Sequence, residues 1–222
     1  MAKKNGRKKI VKKYKAIIFD LDGTLINSLP YHSLAFKDLL LEHGIRVDEE
    51  YLRKYMGLST RLILGKLKIK YKFRENIDDL REERRYHYFK FLGRKNIVFP
   101  GVMATLERLR LKYKIAIATG SSRVTFTHST DRDFQELFDC IITITDVPRG
   151  KPHPDQLLLA ARKMKVKPNE CVEIGDAIYD GIASKRAGID FIGVTTGTTT
   201  EKQLKKAGAK RIISNIRELK LL

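Results

Sequence analysis

Two aspartates stand two residues apart in Asp20-Leu21-Asp22-Gly23, directly after the apolar run AIIF. Burying adjacent carboxylates is costly unless cations or hydrogen-bond donors face them. Further along, Asp176 and Asp180 frame GDAIYD, Thr119 and Gly120 open TGSS, and Lys151 lies in RGKPHPD. Carboxylates converging on one small site call for a hard divalent cation. Mg²⁺ favours oxygen ligands, keeps several waters, and takes one or two carboxylates together with a phosphate. Lys151 adds a positive charge. The Thr119 hydroxyl can donate to one phosphate oxygen and the Gly120 amide can point at another. In such a site Asp20 is the candidate nucleophile, forming an aspartyl-phosphate. Asp22, on nearly the same face of the extended chain, is the candidate acid/base. It would protonate the leaving oxygen and then deprotonate the attacking water.

These groups share a position in the pattern. Short apolar runs end in polar residues and precede helix-like stretches. The runs are AIIFD ending at Asp20, KIAIATG around Thr119, CIITIT from Cys140, CVEIGD ending at Asp176, FIGVTT from Phe191, and a weaker RIIS at Arg211 to Ser214. Their Ile/Val/Ala-rich character without alternation suits strands covered on both faces. MATLERLRLK, PDQLLLAARKMK and YDGIASKRAG read as the intervening helices, the last capped by Gly188. Strand–helix alternation predicts an α/β fold with a parallel sheet and right-handed crossovers. Ligands of such sheets sit at the carboxyl ends of the strands, where the candidate residues fall. From about Pro30 to Lys95 the rhythm breaks. YHSLAFKDLLLEHG and IDDLREERRYHYFKFLG carry apolar residues at helical spacing and no strand pattern, so this interval predicts an all-helical insert.

The 222 residues are 42% hydrophobic, enough for a well-formed core. No apolar run reaches the length of a bilayer span. The basic N-terminus lacks the apolar stretch of a secretory signal, so a cytoplasmic protein is expected, as a monomer or weak dimer. Cys140 and Cys171 each lie beside a β-rich run and read as free thiols, with a disulfide left open. The net charge is +19, and eight basic residues lie between Lys3 and Lys15. Such an arm binds polyanions or is simply solvated. No aromatic platform or nucleic-acid motif accompanies it, which favours the solvated reading.

DLDGTL, TGSS, the lysine of GKPHPD and GDAIYD, in this order and spacing, resemble the four motifs of the haloacid dehalogenase superfamily of hydrolases. The match runs from about Tyr14 to Leu222. The resemblance implies a Rossmann-like three-layer core with a helical cap inserted after the first motif. The expected division is a basic arm over residues 1–13, a catalytic core of 14–28 and 97–222, and a cap of 29–96. The resemblance also implies roles. Asp20 would be nucleophile and Mg²⁺ ligand, Asp22 acid/base with its carbonyl on the metal, and Asp176 a metal ligand. Asp180 would be an outer support, and Thr119 and Lys151 would hold the phosphate. His32, in YHSLAF, resembles the start of the cap in the β-phosphoglucomutase-like branch, near the hinge; read from the residues alone it is an ordinary polar position on an amphipathic helix. A helix over VTFTHSTDRDF is implied by resemblance only, since its β-branched and threonine content is poor for a helix.

The expected activity is a Mg²⁺-dependent phosphatase acting on a small phosphorylated metabolite. The alternative is a sugar phosphomutase, favoured by His32 and by GLST. Against it, Thr60 stands where the mutase branch has an arginine, and Gly175 where the mutases tend to have an acid. A polyanion or nucleic-acid binder using the basic arm is the third reading.

Overall fold

A computed structural model describes residues 14–219, so the basic arm lies outside the described residues. The chain enters through β1 (Ala16–Phe19) and at once builds four helices, α1 (Leu29–Glu42), α2 (Glu49–Arg53), α3 (Thr60–Tyr71) and α4 (Ile77–Leu92). The remainder alternates: α5 (Val102–Arg110), β2 (Lys114–Ala118), α6 (Arg123–Ser129), α7 (Arg132–Gln135), β3 (Cys140–Ile142), α8 (Asp155–Lys163), β4 (Cys171–Gly175), α9 (Ile178–Ala187), β5 (Asp190–Val194), α10 (Glu201–Lys206) and β6 (Arg211–Ile213). All six strands pair in parallel in the order β3-β2-β1-β4-β5-β6. The expected Rossmann-like α/β core and helical insert are therefore present.

The period of two along each strand divides the core into two layers. Ile17 and Phe19 of β1, Ile115 and Ile117 of β2, and Val172 and Ile174 of β4 pack into one cluster with α5 and α6. Ala16 and Ile18, Ala116 and Ala118, and Cys171 pack into the other with α8 and α9. Each large side chain buried this way contributes roughly 1.5–3 kcal/mol. Cys140 and Cys171 are free thiols, on strands separated by β2 and β1. That separation is too wide for a disulfide.

The insert has a core of its own, built from Phe36, Leu39 and Leu40 of α1, Leu52, Ile63, Leu64 and Leu67, and Leu80 of α4. Its helices begin with local caps: Asp48 accepts from the amides of Glu50 and Tyr51, and Asn76 from that of Asp78. The chain leaves and re-enters the core side by side. Ile26 bridges to Val98, the Asn27 amide donates to the Ile97 carbonyl at 2.7 Å, and the Phe99 amide to that of Leu25 at 3.0 Å.

The segment that is poor in local helix signals does form α6 and α7. Hydroxyls there satisfy the backbone: Thr127, Ser129 and Thr130 each donate to the carbonyl four residues earlier, and Asp131 caps α7 by accepting from the Phe134 amide. Phe126 and Phe134 are buried beneath it, so tertiary packing overrides propensity.

Candidate active site

The sheet register brings the polar strand ends together. Phe19 is level with both Ile117 and Ile174, and the Asp20 amide donates to the Ile174 carbonyl at 2.8 Å. The Thr119 amide likewise donates to Ile142 at 2.9 Å, which carries the strand pairing one residue past β2. Asp20, Thr119 and Asp176 thus lie at the carboxyl ends of the three central strands.

Lys151 is 1% exposed and reaches in from the loop before α8. Its Nζ lies 3.0 Å from Asp20 Oδ1, 2.7 Å from Asp180 Oδ1 and 2.9 Å from Glu173 Oε1. Asp180, in the first turn of α9, also accepts from the Ala177 amide. Glu173 was not foreseen. It sits inside β4 on the face shared with Cys171, where an otherwise apolar strand carries one acid, and it also accepts from the Ser184 hydroxyl. That interruption is the signal by which the sequence marks it. Asp176 brings a carboxylate oxygen within 4.8 Å of Asp20 and accepts from the Thr24 hydroxyl at 3.1 Å.

The charges do not balance. Asp20, Glu173, Asp176 and Asp180 are buried around one ammonium, which leaves three negative charges uncompensated when all four ionise. Burial, reinforced by Asp180, pushes Asp176 up to about 8. Burial pushes Glu173 up to about 7 against the pull of Lys151. Asp20 is raised well above the carboxylate range, by burial first and then by Asp180, Asp176 and Asp22. Burial disfavours charge on Lys151, but Asp180, Asp20 and Glu173 together hold its pKa above the usual lysine range.

A divalent cation fits this deficit. Carboxylate oxygens of Asp20, Asp176 and Asp180 lie within 4.8 Å of one another. The surroundings keep close space around these acids: an added Cβ at Gly197 would fall 1.7 Å from Asp176 Oδ2, and one at Gly23 2.7 Å from it. The donor set is all oxygen, as Mg²⁺ prefers.

Asp22 stands apart from this cluster, its carboxylate turned to the opposite wall. Oδ1 accepts from Ser28 at 2.6 Å and contacts His32 Nε2 at 3.0 Å; Oδ2 accepts from Thr119 at 3.0 Å and Ser121 at 2.8 Å. Burial opposes ionisation, yet His32 and the hydroxyls of Ser28 and Ser121 hold Asp22 well below the usual carboxylate range. The Thr119 hydroxyl is thus occupied by Asp22 in this state. Arg84 of α4 completes the wall, its guanidinium meeting His32 Nδ1. It is 3% exposed, and its Nε has no partner among the described residues. Neither Arg84 nor Ser28 was foreseen: Arg84 is one of many polar residues on the faces of α4, and Ser28 precedes α1 as any helix-starting serine could.

Between the two walls lies a chamber of about 30 Å³, bounded by Asp20, Asp22, His32, Arg84, Gly120 and Ser121 and roofed by Met56, Gly57 and Leu58 of the insert. The insert sits down on the core: an added Cβ at Gly120 would lie 3.4 Å from the Leu58 backbone. A second cluster, Asp38 and Glu42 of α1 with His87 of α4, lies elsewhere on the insert. His87 Nδ1 is 2.8 Å from Asp38 and Nε2 3.2 Å from Glu42, so both ring nitrogens tie the two helices together. His128 stacks on Phe89 at 3.8 Å.

The family described as haloacid dehalogenase-like hydrolase matches residues 17–194, and the chain belongs to it. A phosphorylated carbohydrates phosphatase from Thermotoga maritima is 30% identical over 205 residues, 89% of this chain and 93% of that protein. A beta-phosphoglucomutase from Bacillus subtilis is 31% identical over 196 residues, 82% of this chain and 84% of that one. The crystal structure of a hydrolase from Pseudomonas syringae superimposes with a TM-score of 0.83 at 30% identity, covering 92% of this chain and 95% of that one. Among the described residues no helix is long and apolar enough to cross a membrane.

Proposed function

We propose that this chain is a phosphatase that hydrolyses a small phosphorylated metabolite through an aspartyl-phosphate on Asp20. The observation that carries the reading is the division of labour between two aspartates. Asp20 belongs to a buried, charge-deficient acid cluster with Lys151, while Asp22 faces the same chamber from a wall of hydroxyls and an imidazole. Asp20 attacks phosphorus and displaces the alcohol. Asp22, when protonated, gives its proton to the leaving oxygen; as the carboxylate, it takes one from the water that opens the acyl phosphate.

Asp20, Asp176 and the carbonyl of Asp22 would hold Mg²⁺, with Asp180 in support. When bound, the ion supplies neutralisation of charge on the transferring group and orients it. Lys151 keeps Asp20 oriented toward the chamber. The Gly120 and Ser121 turn forms the far side of the phosphate position, and Thr119 becomes a donor to phosphate once Asp22 turns.

Phosphatase is preferred to mutase on two observations. An acid at position 175 would collide with Asp180, since even a Cβ there would sit 2.3 Å from Oδ2. Arg61, one residue beyond the mutase arginine position, is paired with Asp78 on the exposed side and is absent from the chamber wall. Relatives named as phosphatases and one named as a beta-phosphoglucomutase match at similar identity, so the choice rests on these two observations.

The test is phosphate release from a panel of phosphorylated metabolites, with Mg²⁺ and with chelator, for wild type and Asp20→Asn. Mg²⁺-dependent release abolished by Asp20→Asn supports the reading. Interconversion of sugar phosphates without net release would replace it with a mutase.

A further inference from the structure

The chamber beside Asp20 has room for little beyond one water-sized group, so a leaving group must lie outside it. A second cavity of about 720 Å³ begins on the other side of Leu58, which lines both spaces. It runs between the insert and the loop that carries Lys151. A volume in this range suits an organic ligand much larger than a two- or three-carbon acid.

The walls are chemically divided. Tyr55 and Leu62 on the insert face Ile144 and Tyr179 on the core, giving flat apolar surfaces. Tyr179 is fixed there by donating its hydroxyl to the Lys54 carbonyl at 2.8 Å. The rim is cationic. Arg61 and Arg81 share the single carboxylate of Asp78, which leaves one positive charge over. Lys66 adds another, with no ion pair among the described residues, and His153 faces them from the core.

Resting on the phosphatase reading, we infer that this cavity receives the leaving group. The substrate class is a phosphate monoester whose leaving group carries a planar ring and a second anionic group. The ring packs between the tyrosines and aliphatic side chains, and the anion meets the Lys66 and Arg61–Arg81 rim. Leu58 is the partition that such a leaving group must pass.

The experiment compares adenosine 3′,5′-bisphosphate with phosphoglycolate as probes, using wild type, Thr145→Trp and Lys66→Glu. Thr145 is an exposed core residue lining the cavity and Lys66 an exposed insert residue, so the two variants perturb opposite walls. The expected result is that wild type favours the bisphosphate by about tenfold or more in kcat/KM. Thr145→Trp and Lys66→Glu each raise KM for it by about tenfold while phosphoglycolate turnover stays within about twofold. Equal effects on both probes, no effect on either, or a wild-type preference for phosphoglycolate would overturn the inference and leave the phosphatase intact. No Mg²⁺-dependent release from either probe by wild type would overturn the inference, and the metabolite panel with Asp20→Asn decides the phosphatase reading separately.

Discussion

Nε2 of His32 lies 3.0 Å from Oδ1 of Asp22, while the Arg84 guanidinium meets the other ring nitrogen of the same histidine. A guanidinium only donates, so Nδ1 of His32 accepts and the proton resides on Nε2, directed at Asp22. Burial first, then Arg84, depress the His32 pKa against the opposing pull of Asp22, in the direction that favours the neutral ring. Arg84 of α4 thereby defines the tautomer of His32 in α1, and the Nε2 proton so directed favours the carboxylate form of Asp22 in this arrangement.

In Asp22→Asn, kcat for phosphate release is expected to fall by roughly 10²–10⁴, the usual value of a general acid/base. His32→Gln keeps an N–H donor near the same place and should lose only about tenfold, whereas His32→Phe should lose more. Steady-state kinetics at saturating substrate would settle the order. An Asp22→Asn enzyme with unaltered kcat would remove Asp22 from the chemistry.

Lys151→Met leaves Asp20, Asp180 and Glu173 without their shared cation. Breaking a buried ionic network in this way costs about 3–5 kcal/mol, measurable by urea unfolding in chelator. Adding Glu173→Gln should restore part of the loss, because it removes one of the stranded charges. Additive losses in the double variant would show that the two residues are not coupled.

The pH dependence has a defined sign. Asp176 and Glu173 rise from ordinary values of 3.8 and 4.5 to about 8 and about 7, so the metal-free folded protein holds protons that the unfolded chain releases. Stability without metal is therefore greatest at low pH within this window and falls as pH rises from the ordinary carboxylate range through about 8. Mg²⁺ must displace those protons, so its increase of the melting temperature should be larger at about pH 9 than at about pH 6. Differential scanning fluorimetry with Mg²⁺ and with chelator at both pH values checks this. Equal shifts would mean that the cluster is not where the ion acts.

Gly197→Ala places a Cβ 1.7 Å from Asp176 Oδ2 and must displace that carboxylate. Activity should become dependent on higher Mg²⁺, with the apparent Mg²⁺ constant raised about tenfold or more. Gly65→Ala is the control, since apart from its own turn of α3 no atom lies within 4 Å of the added carbon. It should stabilise the fold by about 0.5–1 kcal/mol and leave the Mg²⁺ requirement unchanged.

Much of this protein is determined along the chain itself. The apolar runs ending at Asp20, Thr119 and Asp176 carry both the parallel sheet and the polar groups at its carboxyl edge, because a strand covered on both faces must be apolar and its end is where polarity can resume. The helical spacing of the insert and the Gly188 stop, whose φ is +68°, are equally local. What only the tertiary structure decided is who faces whom. Glu173 meets Lys151 because the period of two turns it toward α9. Arg84 meets His32 across 52 residues because α4 packs on α1, and Thr119 and Ser121 meet Asp22 across 97 and 99 residues because β2 lies beside β1. Helices α6 and α7 form over a sequence with weak helical preference because Phe126 and Phe134 are drawn into the core. Partners this far apart in sequence are selected by strand order and helix packing, which depend on the burial of the whole chain rather than on any local pattern.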